Sequence, residues 1–448
     1  MSRRAPFTEA YLWYAVIVLT LASTLSFIDR QILNVMIGPI KRDLGGLTDT
    51  QISLIIGLAF SLVYSLSTFP LGRYADRGNR RNLIAAGIFS WSAMTALAGL
   101  ANSFWQLFAA RMGVGVGEAS LGPATTSMLP DYFEAERLPL AFGVVATAPF
   151  IGTGLASFVG GPLIDYLEAQ PSLTLPLLGT VYSWQFVLVS VGLPGVLLAA
   201  LMFTLVEPER RGAVSGGAGY SYRELATFVR QRGRYLTLHF IAYLCLSLQG
   251  FAFLTWVVEL FVRKYEWSRT EIGLTYGTIA MSCGIIGSVC AGWVAGRLLG
   301  SGRADAPMRV VLWGTLTLAP IAVVMPLLPD GRIAAALLVP ITLCMAMPTG
   351  LSNAALQSIA PNQLRGQLIA LYLICVSFLS YLFAPLIIGL MNDYVFGRED
   401  AIDLSIAVLA AVNYTVAGVC LALSLKPLRL AVQQRRTAAA GTASSAAG

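Results

Sequence analysis

Charge is scarce in this chain, and so are the residues that build soluble active sites. Only 12% of its 448 residues are Asp, Glu, Lys or Arg, against 56% apolar, and the mean hydropathy is +0.71. Soluble domains carry about a quarter charged residues, so a water-soluble fold of this length would lack the charge to cover its surface. A soluble enzyme, a nucleic-acid binder and a disordered chain are excluded on that ground. His239 is the one histidine, which leaves no histidine-built metal site and no Ser–His pair for nucleophilic catalysis. No GxxxxGKS or GxxxxGKT string occurs, so ATP hydrolysis is not expected. The string GVGVGE from Gly113 lies inside an apolar run with no preceding strand and is not a nucleotide loop. The six cysteines, Cys245, Cys283, Cys290, Cys344, Cys375 and Cys420, stand within apolar runs with no CxxC pair and read as small core residues. No cleavable signal peptide is expected, because the first apolar run is too long and carries Asp29.

What the chain has is apolar runs. A spanning helix uses about 20 apolar residues, and runs of that order fall near 11–40, 48–71, 82–101, 104–128, 140–165, 182–206, 235–262, 269–296, 307–328, 332–358, 366–392 and 402–425. With the N-terminus placed inside, 21 of the 30 basic residues fall in cytoplasmic segments and seven on the other side. Basic residues flanking spans mark the cytoplasmic face, so both termini are expected there, in the cell (inner) membrane. The polar stretch 207–234, with SGGAG at 215–219, reads as a linker between two halves. Within it Tyr220 to Arg232 has the pattern of a short interfacial helix. The predicted layout is a cytoplasmic N-terminus over 1–10, a six-helix bundle over 11–206, a linker over 207–234, a second bundle over 235–425 and a tail over 426–448. Disorder is expected from Thr437 onward.

The two halves resemble each other. Under an offset of 220, TDTQISLIIG from Thr48 meets SRTEIGLTYG from Ser268, and GRYADR from Gly72 meets GWVAGR from Gly292. A looser match sets Pro130, Arg137 and Gly161-Pro162-Leu163-Ile164 against Pro361, Arg365 and Ala384-Pro385-Leu386-Ile387. Two six-helix repeats in parallel orientation predict a substrate site between them.

Three motifs sharpen this. The loop after the second run reads GRYADRGNRR, Gly72 to Arg81, with Asn79 at an inner glycine position, a residue that tolerates left-handed backbone. The fourth run carries Arg111-x-x-x-Gly115-x-Gly117, and the fifth GTGLASFVGGPLID. Together they resemble the major facilitator superfamily. FIDRQILNV from Phe27, GVGEAS from Gly115, DRGNRR and EIGLTYG from Glu271 resemble, more narrowly, the spinster family, whose animal members move lysolipids and sphingolipids. The resemblance implies an all-α polytopic membrane protein with twelve helices in two pseudo-symmetric six-helix bundles.

Asp29, Arg30, Arg111 and Glu118 are ionisable groups inside runs. Each would cost several kcal/mol facing lipid, so each is expected to face the interior or a wet cavity. Arg111 and Glu118 are seven residues apart and share a helix face, and Asp29 is level enough with Arg111 to pair. The alternative is a buried cluster that only joins helices. Two acids and two arginines balance, and protonating one acid leaves a net positive site. Glu118 and Asp29 are therefore the expected proton-coupling groups, and Arg30 and Arg111 the expected hold on an anionic headgroup; the spinster resemblance points to the same four. The second half has no central charges but offers Gln249, Tyr276, Asn353 and Tyr372 as candidate substrate contacts. Glu259, four residues before Arg263, reads as a surface pair.

Asp76 stands at the cytoplasmic end of the second run, where a carboxylate can cap the eleventh helix near Arg365. Arg77, Arg80 and Arg81 can pair across the domain interface. The superfamily resemblance implies that this loop, from Gly72, latches the cytoplasmic side. The sequence thus predicts a monomeric secondary transporter, driven by a proton gradient with no cofactor, moving an anionic or zwitterionic amphiphile across the bilayer. Small organic anions or drugs are the alternative substrates. A non-transporting sensor is the alternative class, although no polar segment exceeds about 30 residues, less than an output domain needs. No metal, ATP or nucleic-acid partner is expected.

Overall fold

The computed structural model describes residues 7–134, 136–170, 173–175, 179–210, 222–361 and 364–446. The SGGAG stretch and most of the predicted N-terminal segment, with Arg3 and Arg4, lie outside the described residues. Twelve helical segments follow in order. They are α1 (Glu9–Val35), α2 (Asp49–Ala75), α3 (Arg80–Ala98), α4 (Phe104–Glu118, continued as Leu121–Tyr132), α5 (Leu138–Glu168), α6 (Ser183–Met202), α7 (Gly233–Tyr265), α8 (Arg269–Gly300), α9 (Ala306–Leu327), α10 (Gly331–Ile359), α11 (Arg365–Phe396) and α12 (Ile402–Ala446). Ten are long and apolar enough to cross a membrane. The exceptions are α3, which opens on Arg80-Arg81, and α4, which carries Arg111 and Glu118 and breaks after Glu118. A separate short helix, Tyr222–Gln231, occupies part of the predicted interfacial segment. Between α5 and α6 a two-stranded hairpin, Leu173–Leu175 with Gly179–Val181, was not foreseen. α12 runs on through Ala446, where disorder was expected; half of its last ten residues are alanine, the strongest helix former.

Local chemistry sets the helix ends. Thr8 caps α1 by accepting from Tyr11 N at 3.3 Å. The single run expected over 11–40 ends at Val35, and a short helix, Ile37–Asp43, follows. Pro39 explains the break, since proline has no N–H for the Val35 carbonyl and its ring clashes there. That carbonyl instead accepts from Arg269 Nε at 3.1 Å. Thr48 and Gln51 form a reciprocal capping box at the start of α2. Asn79 does not adopt the left-handed conformation its motif position suggested. Its backbone is extended, and its side chain caps α3 by accepting from Asn82 N at 2.8 Å. α4 breaks where Pro123 would deny a donor to the Ala119 carbonyl.

Packing divides the described chain into two compact units. The first joins the chain up to Val214 with Leu254–Met281 and Pro385–Ile402; the second joins Ser215–Phe253, Ser282–Ala384 and Asp403 onward. This differs from a cut at the linker, because one end of α7, α8 and α11 packs with the N-terminal segments. Large apolar side chains such as Leu66, Phe69, Trp105 and Leu197 are exposed, whereas Asp29, Arg111 and Glu118 are buried. That inversion suits a lipid solvent.

Glycine makes the closest approaches possible. A Cβ on Gly117 would lie 2.7 Å from Trp91 N, so α4 and α3 touch backbone to backbone. A Cβ on Gly161 would lie 2.2 Å from the Arg269 carbonyl oxygen, at the contact of α5 with α8. Gly161→Ala must push two backbones apart and is expected to cost about 1–3 kcal/mol, the range for overpacking. Thermal unfolding of the purified protein in detergent reads this as a lowered Tm, with Gly292→Ala, which has open space, as the neutral control.

Candidate functional site

Adjacent positions on α1 bring an acid and a base into the first unit. Asp29 is buried, and its Oδ2 accepts from Thr95 Oγ1 of α3 at 2.6 Å. Arg30 Nε donates to Glu118 Oε2 of α4 at 2.6 Å, and Ser26 Oγ donates to the same oxygen at 2.6 Å. The Arg30 guanidinium lies over the rings of Phe27, Phe60 and Tyr64 at 5.1, 4.7 and 5.0 Å, and Arg111 over Phe60 at 5.5 Å. Aromatic faces stabilise cations where water is excluded. Arg30 and Arg111 thus share the Phe60 ring, with Glu118 bound to Arg30 and Asp29 its neighbour on α1. The four expected residues therefore do form one cluster, and the seven-residue spacing does bury Arg111 and Glu118 together.

Their positions separate in a way the spacing did not reveal. A cavity of about 190 Å³ is lined by Ser26, Arg30, Tyr64, Glu118, Thr125 and Phe142, among others. Arg30 and Glu118 border it, while Asp29 and Arg111 do not. One oxygen on each acid, Glu118 Oε1 and Asp29 Oδ1, is buried with no hydrogen-bond partner.

The candidate contacts of the second half are all largely buried but do not belong to one unit. Gln249, Asn353 and Tyr372 lie in the second and Tyr276 in the first. The side-chain oxygens of Gln249 and Asn353 are buried without a hydrogen-bond partner. Tyr372 packs in an aromatic group with His239, Phe240 and Tyr243. Among the described residues no group of three or more His, Cys, Asp or Glu is arranged to hold a metal ion.

At the loop from Gly72, Gly72 faces Pro123 of α4, and Asp76 and Arg77 are exposed. Arg80 is buried and bound within the first unit, to Asp131, to Glu207 Oε1 at 2.6 Å and to the Ser127 and Pro208 carbonyls at 2.8 and 3.0 Å. Arg81 N meets Glu207 Oε2 at 2.9 Å, and its guanidinium reaches the Leu205 carbonyl. These two arginines thus spend their hydrogen bonds tying α3 to the ends of α4 and α6. Arg365 opens α11 in the second unit, its Nε buried without a hydrogen-bond partner.

A second charged cluster escaped the sequence reading. At the α1–α2 end of the first unit, Asp49 is fully buried and accepts from Arg263 Nη1 and Nη2 at 2.7 and 3.0 Å, from Asn392 Nδ2 at 2.8 Å and from Lys41. Glu259 is also buried, not on the surface as expected. It meets Arg263 at 3.0 Å, Arg269 at 3.3 Å and Gly38 N at 3.0 Å. Helix starts there are held by carboxylates, Asp393 accepting from Thr50 N on α2 and Asp165 from Thr270 N on α8, each at 2.7 Å. One signal was available, for the offset of 220 sets Asp49 against Arg269, opposite charges at equivalent positions.

Comparison with known proteins agrees with this architecture. The Major Facilitator Superfamily matches residues 19–385. An MFS-type efflux pump of Mycolicibacterium smegmatis is 28% identical over 91% of both chains. A probable L-galactonate transporter of Escherichia coli is 23% identical over 66% of this chain and 64% of its own. The crystal structure of a bacterial homologue of the human lysosomal transporter Spinster, inward-facing and unoccupied, superposes with a TM-score of 0.75 at 23% identity, over 95% of this chain and 98% of that one. A multi-pass helical chain with Asp29, Arg111 and Glu118 buried inside it, matched over most of its length, belongs to the Major Facilitator Superfamily and is a membrane transporter, not an enzyme.

Proposed function

We propose that this transporter is proton-coupled and of the spinster type, moving an anionic or zwitterionic amphiphile such as a lysolipid by alternating access. The observation that carries the reading is the Arg30–Glu118 pair at the edge of the cavity. With Glu118 ionised, Arg30 is neutralised and has no call for an anion. Protonation of Glu118 removes that competitor and leaves the four-residue cluster at net positive charge, which an anionic headgroup then balances. Proton and anion binding favour each other, and anion affinity rises as pH falls, by up to about tenfold per pH unit for one linked proton. Arg111 and Asp29 sit behind this pair and set its field. The rings of Phe27, Phe60 and Tyr64 around Arg30 suit an amphiphile whose chain leaves the headgroup along an apolar wall. Gln249, Asn353, Tyr276 and Tyr372 remain assigned as polar contacts for the substrate.

With most basic loops cytoplasmic, both termini lie inside, and the Asp49–Glu259 cluster lies at the outer end. In alternating access it is the outer gate. Gly72, Asp76, Arg77 and Arg365 remain assigned to the cytoplasmic latch, with Arg80 and Arg81 holding its base. A second reading, transport of small organic anions by the same arginines, draws on the likeness to the galactonate transporter. Proteoliposome uptake of labelled lysolipids and of sugar acids, with and without a pH gradient, separates the two. Lysolipid uptake that rises with the gradient is the expected result. Uptake of sugar acids alone would overturn the amphiphile assignment, and no response to the gradient would overturn the coupling.

A further inference from the structure

The second unit holds a basic pocket remote in sequence from every residue assigned above. It has a volume of about 340 Å³ and lies between the turn joining α8 to α9 and the stretch of α12 around Arg429, lined by Arg303, Asp305, Arg309, Arg429 and Gln433 among others. The turn is rigid. α8 ends at Gly300, Gly302 is left-handed with φ of +87°, and Arg303 N returns to the Leu298 carbonyl at 3.1 Å. Asp305, buried at the start of α9, receives two arginines on one oxygen, Arg309 Nη2 at 2.8 Å and Arg429 Nε at 3.5 Å. Arg309 Nε is buried and makes no hydrogen bond. Arg303 is exposed at the mouth and makes no ion pair among the described residues. The pocket lining thus sets three guanidiniums against one carboxylate, which only two of them reach, leaving two positive charges in excess.

The surroundings fix the depth of this pocket relative to lipid. Leu299, beside the turn, and Leu430, beside Arg429, are exposed apolar side chains. One turn further into α8, the Arg297 guanidinium lies 3.8 Å from the centre of the exposed Trp293 ring. An arginine folded back over a tryptophan marks the membrane–water boundary. The pocket therefore opens at headgroup level with apolar surface beside it.

We infer that this pocket binds a phosphate group, presented by an anionic lipid headgroup or free in solution. Arginine forks match phosphate oxygens in pairs, and basic pockets between membrane helices on the cytoplasmic side hold anionic headgroups. The competing account is structural, with Arg309 and Arg429 present only to tie α9 to α12 through Asp305. The two accounts differ in sign at one position. Asp305→Asn keeps the side-chain shape, removes the internal competitor and frees both arginines, so phosphate binding strengthens; a purely structural tie predicts no gain.

The test uses the full chain purified in detergent at fixed ionic strength. Retained dioleoyl-phosphatidylglycerol and dioleoyl-phosphatidylcholine are read by native mass spectrometry. The expected result is preferential retention of phosphatidylglycerol. Arg303→Gln, an exposed change, lowers that retention about fivefold, the effect of one arginine near an anionic lipid, and Asp305→Asn raises it by a similar factor. Excess inorganic phosphate that displaces the lipid assigns the pocket to free phosphate, and failure to displace it assigns the pocket to the headgroup. Equal retention of the two lipids together with no bound inorganic phosphate, or no change in either variant, overturns the proposal.

Discussion

Glu118→Gln is expected to flatten the pH dependence of anion binding and to cut uptake driven by a pH gradient at least about tenfold. Glutamine keeps the volume of the side chain and can still accept from Ser26, whose Oγ lies 2.6 Å from Glu118 Oε2. What it lacks is the charge that holds Arg30 at 2.6 Å. The variant therefore imitates the protonated state, with Arg30 released at every pH and the headgroup held without a proton. Binding survives while coupling is lost. Arg30→Gln does the reverse, removing the anion's partner and leaving Glu118 ionised in a buried setting with its main counter-charge gone, a cost of about 3–5 kcal/mol. Measuring anion binding and uptake across pH for both variants separates coupling from mere loss of fold, because only Glu118→Gln retains binding. Uptake by Glu118→Gln that still follows the gradient would remove Glu118 from the coupling role.

What could be read from the residues alone follows from what lipid penalises. Twelve runs emerge from hydropathy because backbone groups in a bilayer must bond within a helix, and most helices end within a few residues of their runs, α12 being the exception that runs on to Ala446. Asp29, Arg30, Arg111 and Glu118 stand out for the same reason, since charges in the middle of spans need a cause. Their partners do not follow from spacing. One-dimensional periodicity aligns Arg111 with Glu118 along α4 but is blind to Arg30 arriving from α1. Breaks at Val35 and Glu118 were hidden inside apolar runs, because hydropathy averages over the proline that interrupts hydrogen bonding. Glu259 misleads in another way. Near a helix end a charge is usually wet, and nothing in an i,i+4 pair distinguishes water from protein. Only the repeat carries a hint, since the offset of 220 sets Asp49 against Arg269, opposite charges at the starts of equivalent helices.

Asp49→Asn is expected to open the outer gate proposed for this cluster. Its carboxylate is fully buried and joins Lys41, Arg263 and Asn392, from three different segments of the first unit. Asparagine leaves the Lys41 and Arg263 cations close together and largely desolvated. Glu399, the other acid in reach of both, is mostly exposed and screens weakly. Breaking a buried pair in this way costs about 3–5 kcal/mol. Charged to the closed state alone, that shifts the ratio of open to closed by a hundredfold or more, since about 1.4 kcal/mol is a factor of ten. Ser53 offers the readout. It is buried, and its Oγ lies 2.9 Å from the Pro385 carbonyl at the seam of α2 and α11. A cysteine at position 53, in a chain stripped of its native cysteines, is expected to react with a membrane-impermeant maleimide at least about tenfold faster when Asp49 is asparagine. Adding Lys41→Gln removes one of the two opposed cations and is expected to slow the reaction again, a rescue that unfolding would not produce. An unchanged rate in Asp49→Asn, or a faster rate that Lys41→Gln fails to reverse, would mean that the cluster joins helices without gating them.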